Sequence, residues 1–173
     1  MKFRLSIAFI LLTQLGVAQS NLTYKNFTHD GYKLDVPTNW RIDTSKTLGA
    51  NFFAFSPADD NTLDKFSENV NVMIQNLQGQ DISLQQYKEI SENQFNSLSD
   101  KFSDVETVIY KKGTSEFLIF KYKMKQGNLA LNVFSKCMIR NGSAYLATFA
   151  YEETASDKYK DISDRIILSF ELD

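Results

Sequence analysis

Apolar and polar side chains alternate over short runs between residues 24 and 76, a pattern typical of β-strands. Residues 24–28 and 32–36 flank an Asp-Gly pair, which strongly favours a two-residue hairpin turn. Residues 52–55 predict a third strand, and residues 69–76 predict a fourth strand with one apolar face. The first half of the chain is therefore expected to be mainly β structure.

The second half of the chain predicts four longer strands joined by short turns. They lie at residues 105–110, 116–124, 129–140 and 144–151. The Asn-Gly pair at 141–142 has the two-residue type I′ signature, so Arg140 is expected to pair with Ser143. The cross-strand pairs that follow from this register are Phe134–Phe149, Met138–Tyr145 and Cys137–Leu146.

The turn at residues 125–128 is less specific, so the apolar pattern has to choose the register of its hairpin. Pairing Met124 with Leu129 puts apolar side chains on both faces of the two strands. A sheet with two apolar faces needs a layer of structure on each side.

Two segments have helical periodicity. Ser83 followed by Gln86 forms a capping box, and an apolar stripe then continues to about Leu98. Thr154 followed by Asp157 is interpreted as a second capping box before the C-terminal helix. The predicted fold class is α+β: an α/β/α sandwich, with a central antiparallel sheet of about six to seven strands and helices on both faces.

Residues 1–18 have the three regions of a secretory signal peptide: a basic start, a short apolar run and small residues before Gln19. The apolar run is shorter than the roughly 20 residues that span a bilayer. We therefore expect cleavage before Gln19, a single domain over residues 19–173 and no transmembrane anchor after cleavage. The expected location is periplasmic or secreted.

Composition is that of an ordinary globular protein, with 43% hydrophobic and 23% charged residues. The formal net charge is −2, and it becomes more negative once the basic signal peptide is removed. This acidity argues against nucleic acid as a partner. Cys137 is the only cysteine, and its place on an apolar strand face favours a buried side chain over a nucleophile.

Few residues in the sequence suggest a catalytic or metal-binding site. His29 is the only histidine, and one histidine with one cysteine is too few for a zinc site. The acidic loop between Asp59 and Asp64 lacks the spacing of an EF-hand, although weak metal binding there is left open. We therefore expect no catalytic residue, no cofactor and no dedicated metal site, and a hydrolase is the lowest-ranked alternative.

Lys121 and Lys123 share one face of their predicted strand, and the chosen register brings Lys136 close to them. These three lysines are the predicted partner-binding residues, because together they would form a basic patch suited to an anionic partner. The alternative is a set of lysines that extend into solvent along the margin of the sheet.

The segment after the first hairpin holds two residues with expected structural roles. Pro37 ends a strand because proline cannot donate to the hydrogen-bond ladder. Trp40, the only tryptophan, is expected to close one edge of the core with its large ring.

The order of these features resembles the PsbP-like superfamily, whose fold is shared by the Mog-type Ran-binding protein and the bacterial DcrB proteins. The resemblance covers residues 27–172 and rests on Tyr32, Pro37 and Trp40, on the strand NVNVMIQN, on the helix LQQYKEISENQF, on the strand end AYLAT and on the closing DRIILSF. It implies an α/β/α sandwich and a non-enzymatic accessory or binding role.

The leading hypothesis is therefore an exported, non-enzymatic PsbP-like accessory protein that binds a protein or a cell-envelope component. The alternative is a carrier of a small apolar or lipid ligand, motivated by aromatic side chains on one predicted sheet face. These aromatic residues are Phe134, Tyr145, Phe149 and Tyr151.

Overall fold

The computed structural model describes residues 22–46, 49–58, 66–77 and 79–173. The predicted signal peptide and the acidic loop between Asp59 and Asp64 lie outside the described residues. The strands are β1 (Tyr24–His29), β2 (Tyr32–Pro37), β3 (Arg41–Asp43), β4 (Phe52–Phe55), β5 (Asn69–Asn76), β6 (Phe102–Lys112), β7 (Ser115–Gln126), β8 (Leu129–Arg140), β9 (Ser143–Glu152) and β10 (Glu171–Leu172). The helices are α1 (Leu84–Ser97) and α2 (Ser156–Ser169).

The strands form two antiparallel sheets. The larger has seven strands in the order β3-β4-β5-β9-β8-β7-β6, and the smaller has the order β1-β2-β10. Helix α1 packs against β6 and β7, whereas α2 packs against β2, β8 and β9. The predicted α+β architecture, with helices on both faces of an antiparallel sheet, is confirmed.

Each face of the large sheet has its own core because successive strand residues point to opposite sides. On the α2 face, Val72 and Phe149 pack with Ile166 and Phe170, and the small sheet adds Tyr32. A second cluster, on the α1 face, contains Leu118, Phe120, Cys137 and Ala144.

No helix among the described residues is long and apolar enough to cross a bilayer.

The Asn141-Gly142 hairpin has the predicted register. Arg140 pairs with Ser143, and the backbone of both turn residues has positive φ, as a type I′ turn requires. The three cross-strand pairs expected from this turn are all present: Phe134–Phe149, Met138–Tyr145 and Cys137–Leu146.

The register predicted for the β7–β8 hairpin is wrong by two residues. Met124 pairs with Leu131 instead of Leu129, and Leu129 pairs with Gln126. The chain makes a two-residue turn in which Gly127 has φ 61°, a conformation that glycine adopts without strain. Because side chains alternate with a period of two, the error leaves every side chain on its predicted face.

The two helices differ at their N-termini. The capping box of α1 is confirmed, since Ser83 and Gln86 exchange both hydrogen bonds. The capping box predicted for α2 is wrong, because a 3-10 turn at Glu153–Ala155 precedes that helix. Thr154 therefore lies within the turn, and its hydroxyl donates to the Glu152 carboxylate at 3.2 Å.

Trp40 lies where the chain passes from the small sheet to the large one. Its backbone N–H donates to the Pro37 carbonyl at 3.1 Å, and β3 begins at the next residue. The side chain is 5% exposed, and its ring lies 5.6 Å from that of Phe149. Trp40 thus contacts the core between the two sheets.

The aromatic face that motivated the carrier hypothesis is filled with protein. Phe134, Phe149 and Tyr151 are buried beneath α2, and Tyr145 packs against the same cluster. Helix α2 covers this face, and the strand pattern alone could not show where that helix would lie. The expectation that these side chains line a ligand pocket is therefore corrected. These aromatic side chains serve mainly as core.

Candidate functional site

The structure separates the three predicted partner-binding lysines. Lys121 is exposed on β7, with its ammonium group 4.5 Å from the centre of the Phe134 ring. Lys123 forms ion pairs with Asp104 at 3.3 Å and with Glu153 at 2.7 Å. The hydrogen bonds that Lys123 donates to these carboxylates raise its pKa, so much of its charge is already compensated.

Lys136 occupies a different environment, although it lies on the same face as Lys121 and Lys123. It sits on β8 opposite Ile119, and only 5% of the residue is exposed. The three lysines therefore do not form one continuous basic surface. The expectation that Lys136 lies on an exposed patch with the other two is wrong, because the end of α2 covers it.

Lys136 forms part of a cleft of about 740 Å³, which we name the C-terminal cleft. It lies between the ends of β6, β7 and β8 on one side and the end of α2 with β10 on the other. The cleft is lined by Lys112, Thr114, Ser115, Glu116, Phe117, Lys136, Met138, Ile139, Arg140, Leu168, Glu171 and Leu172.

The chain path after α2 determines how Lys136 is held. Phe170 leaves the helix with an extended backbone, and β10 then pairs with β2. This path carries backbone carbonyls across the end of β8. The Lys136 ammonium group donates to the Phe170 carbonyl at 2.6 Å and to the Leu168 carbonyl at 3.4 Å.

The surroundings of Lys136 make its charged form less favourable than it is in water. Burial lowers the pKa of its ammonium group; the more distant Glu171 acts in the opposite direction, and Lys112 adds to the lowering. The Phe117 ring also lies under the ammonium group, 4.5 Å from centroid to nitrogen. The bonded carbonyls and this ring are all uncharged partners.

The two carboxylates of the cleft already have cationic partners. Glu116 pairs with Lys111 at 2.5 Å, and Glu171 pairs with Lys33 at 3.5 Å. Neither Lys111 nor Lys33 lines the cleft. The cleft can therefore present an excess of positive charge beside an apolar wall.

The residues considered for nucleophilic catalysis are far apart in the fold. His29 lies at the β1–β2 hairpin, 3.4 Å from Asp30, and its ring contacts Tyr32. Cys137 is buried on the α1 face, where burial raises the pKa of its thiol to about 12. No group of three or more potential metal ligands occurs within the described ranges.

The PsbP family profile matches residues 22–172. This chain belongs to the PsbP family. The match covers nearly all of the described fold, from the strand β1 to the strand β10. A search of curated proteins finds no match.

Solved structures show the same fold at low sequence identity. The solution structure of cyanobacterial PsbP from Synechocystis has a TM-score of 0.65 at 16% identity and covers 91% of this chain and 96% of its own. LpqN from Mycobacterium tuberculosis has a TM-score of 0.56 at 10% identity, with 88% and 91% coverage. A Pseudomonas aeruginosa protein of unknown function has a TM-score of 0.51 at 11% identity, with 80% and 90% coverage.

The C-terminal cleft was missed at the level of sequence, although one signal for it exists. Lys136 occupies an apolar face between Phe134 and Met138, where a lysine is unusual. Such a position predicts a buried ammonium group with specific partners. The opposite side of the cleft is formed by the end of α2 and by β10, which come 32 residues or more after Lys136 in the chain.

Proposed function

We propose that this chain is an exported, non-enzymatic binding domain that holds a component of the cell envelope in the C-terminal cleft. The observation that supports this best is the buried Lys136 ammonium group at the wall of a cleft of about 740 Å³. Cavities of this size, with apolar walls and a few placed polar groups, are typical of ligand sites.

Family membership supports the non-enzymatic part of the proposal, because PsbP proteins are generally accessory proteins without catalytic activity. Export is supported by the signal-peptide pattern of residues 1–18. It is also consistent with LpqN, which is described as involved in cell envelope biogenesis and shares the fold.

Export predicts a defined N-terminus. Protein isolated from the periplasm or medium of its own host should begin at Gln19, because the small residues before it fit the signal-peptidase site. N-terminal sequencing or intact-mass measurement tests this directly. Protein that retains Met1 and remains in the cytoplasm would contradict export and leave the fold assignment unchanged.

Native mass spectrometry tests the binding function. Protein purified from its own host envelope should carry an additional mass that organic extraction removes. Leu168→Trp should abolish that mass, because Leu168 lines the cleft and is 55% exposed, so a larger ring can fill the cleft without entering the core.

The matched control for that experiment is Ile90→Trp, a similarly exposed aliphatic residue on α1, outside the cleft. It should retain the additional mass. A mass that both variants retain would place the ligand elsewhere. Wild-type protein that is always free of ligand would count against a tightly held envelope component.

A second candidate surface is the margin around Lys121 and Lys123. It borders a depression of about 180 Å³ that also includes Lys160, which lies close to Asp164. Partner capture by wild type, lost in Lys121→Glu/Lys123→Glu but retained in Leu168→Trp, would favour an anionic protein partner at this margin.

A further inference from the structure

The charge of Lys136 lacks a contacting countercharge among the described residues. Its ammonium nitrogen contacts the carbonyl oxygens of Phe170 and Leu168 and the ring of Phe117. An ammonium group has three donors, and the carbonyls accept two of them. The described residues provide no oxygen acceptor for the third donor and no carboxylate within ion-pair distance. A buried charge without a countercharge is costly, so a bound anion would stabilise Lys136 in its charged form.

The neighbouring charges make the cleft more positive. Glu116 and Glu171 are engaged by lysines outside the cleft, as described above. Lys112, which lines the cleft, forms no ion pair with the described residues, and its charge contributes to lowering the Lys136 pKa. Arg140 donates to the backbone oxygen of Asp173. Lys112 and Lys136 are thus two ammonium groups of the cleft that form no ion pair with the described residues.

The lining also has an apolar part, which a bare inorganic anion would leave in contact with water. Phe117, Met138, Ile139, Leu168 and Leu172 all border the same cleft. Leu168 is 55% exposed, although most large apolar side chains of the fold are covered. A ligand with a hydrocarbon part would remove this apolar surface from water, whereas a phosphate or sulfate ion would not.

We propose that the C-terminal cleft binds a single-chain amphiphile with one anionic head group, the head at Lys136 and Lys112 and the hydrocarbon chain along Leu168. This inference rests on the proposed binding function and specifies its ligand class. The same chemistry is found in fatty carboxylates and in lipid phosphate monoesters. The experiment below distinguishes these two sources.

The test is calorimetric titration of the mature protein, beginning at Gln19, with three probes of equal chain length below their micelle concentrations. Dodecanoate and dodecyl phosphate carry anionic heads, and dodecyl maltoside is uncharged. One anionic molecule should bind per chain, at least about tenfold more tightly than the maltoside. Binding of dodecanoate alone would identify the carboxylate class, and binding of dodecyl phosphate alone the phosphate class.

Variants locate the head group. Lys112→Glu should weaken binding of the anionic probes at least about tenfold, because it reverses an exposed charge in the cleft. Lys136→Met should remove the preference for anionic heads while retaining the volume of the side chain. Lys25→Glu is the matched control, since it reverses an exposed charge on β1 outside the cleft, and it should bind like wild type. If Lys136→Met does not fold, Lys112→Glu and Leu168→Trp decide the question.

The outcomes separate this inference from the proposed function. Equal affinity for all three probes, lost in Leu168→Trp but unchanged in Lys112→Glu, would overturn the anionic head and retain the cleft as a binding site. Failure of every probe to bind would overturn the amphiphile, while a host-derived mass lost in Leu168→Trp would keep the proposed function. Probe binding that is unchanged in every cleft variant would overturn both.

Discussion

Trp40→Ala is expected to cost about 3–5 kcal/mol of unfolding free energy, the usual range when a buried tryptophan is truncated in a core. The residue is 5% exposed and packs against Phe149 at the passage between the two sheets. Removing the indole leaves a cavity that the surrounding strands cannot easily close, because both sheets constrain their positions. Urea unfolding followed by far-ultraviolet circular dichroism measures the loss without needing tryptophan fluorescence.

Trp40→Phe is the matched control, since it retains an aromatic ring and removes less volume. It should lose clearly less stability than Trp40→Ala. A loss under about 1 kcal/mol for Trp40→Ala would show that the core does not depend on this ring. The segment from Pro37 to Trp40 would then have to be reconsidered as part of a binding site.

Cys137 is expected to resist alkylation in the native protein. Burial raises the pKa of its thiol from 9.0 to about 12, which lowers the thiolate fraction near neutral pH by about a thousandfold. The side chain is also fully buried beneath α1, so the reagent needs a local opening of the structure to reach it. The rate with iodoacetamide at pH 8 should therefore be at least about a thousandfold lower than in concentrated urea.

A suitable control places the thiol on the surface. Cys137→Ser/Ser99→Cys carries one cysteine at an exposed position after α1, and it should react at nearly the rate of a free thiol. Native Cys137 reacting within about tenfold of this control would show that the α1 layer opens readily. That result would show that reagents reach the α1 face of the sheet, and a ligand site beneath α1 would then have to be considered beside the C-terminal cleft.

Most of the secondary structure could be predicted because it depends on local rules. The strands β4, β5 and β8 begin and end where their alternation predicted. The Asn-Gly turn has a strict backbone requirement and therefore determined the β8–β9 register, whereas the β7–β8 register at the Gly127 turn was predicted two residues off. The very short strands β3 and β10 were missed, since two or three residues give no usable alternation.

The candidate site was predicted only in part because burial of a charged side chain depends on distant residues. Lys136 was identified as notable, but as a member of an exposed patch with Lys121 and Lys123. Its actual acceptor, the Phe170 carbonyl, lies 34 positions later in the chain. No property of the β8 segment itself specifies where the end of α2 will cross it.

The sequence by itself determined the classes of structure and the faces of the strands, because hydrophobic periodicity repeats within a few residues and any register shift by two preserves it. It also determined the resemblance to the PsbP-like superfamily, which depends on the order of elements along the chain. Only the tertiary structure decided which helix covers each apolar face and which lysine became buried. The physical reason is that desolvation and charge compensation are set by all the atoms that surround a group, and at Lys136 those atoms come from three separate strands and the end of a helix.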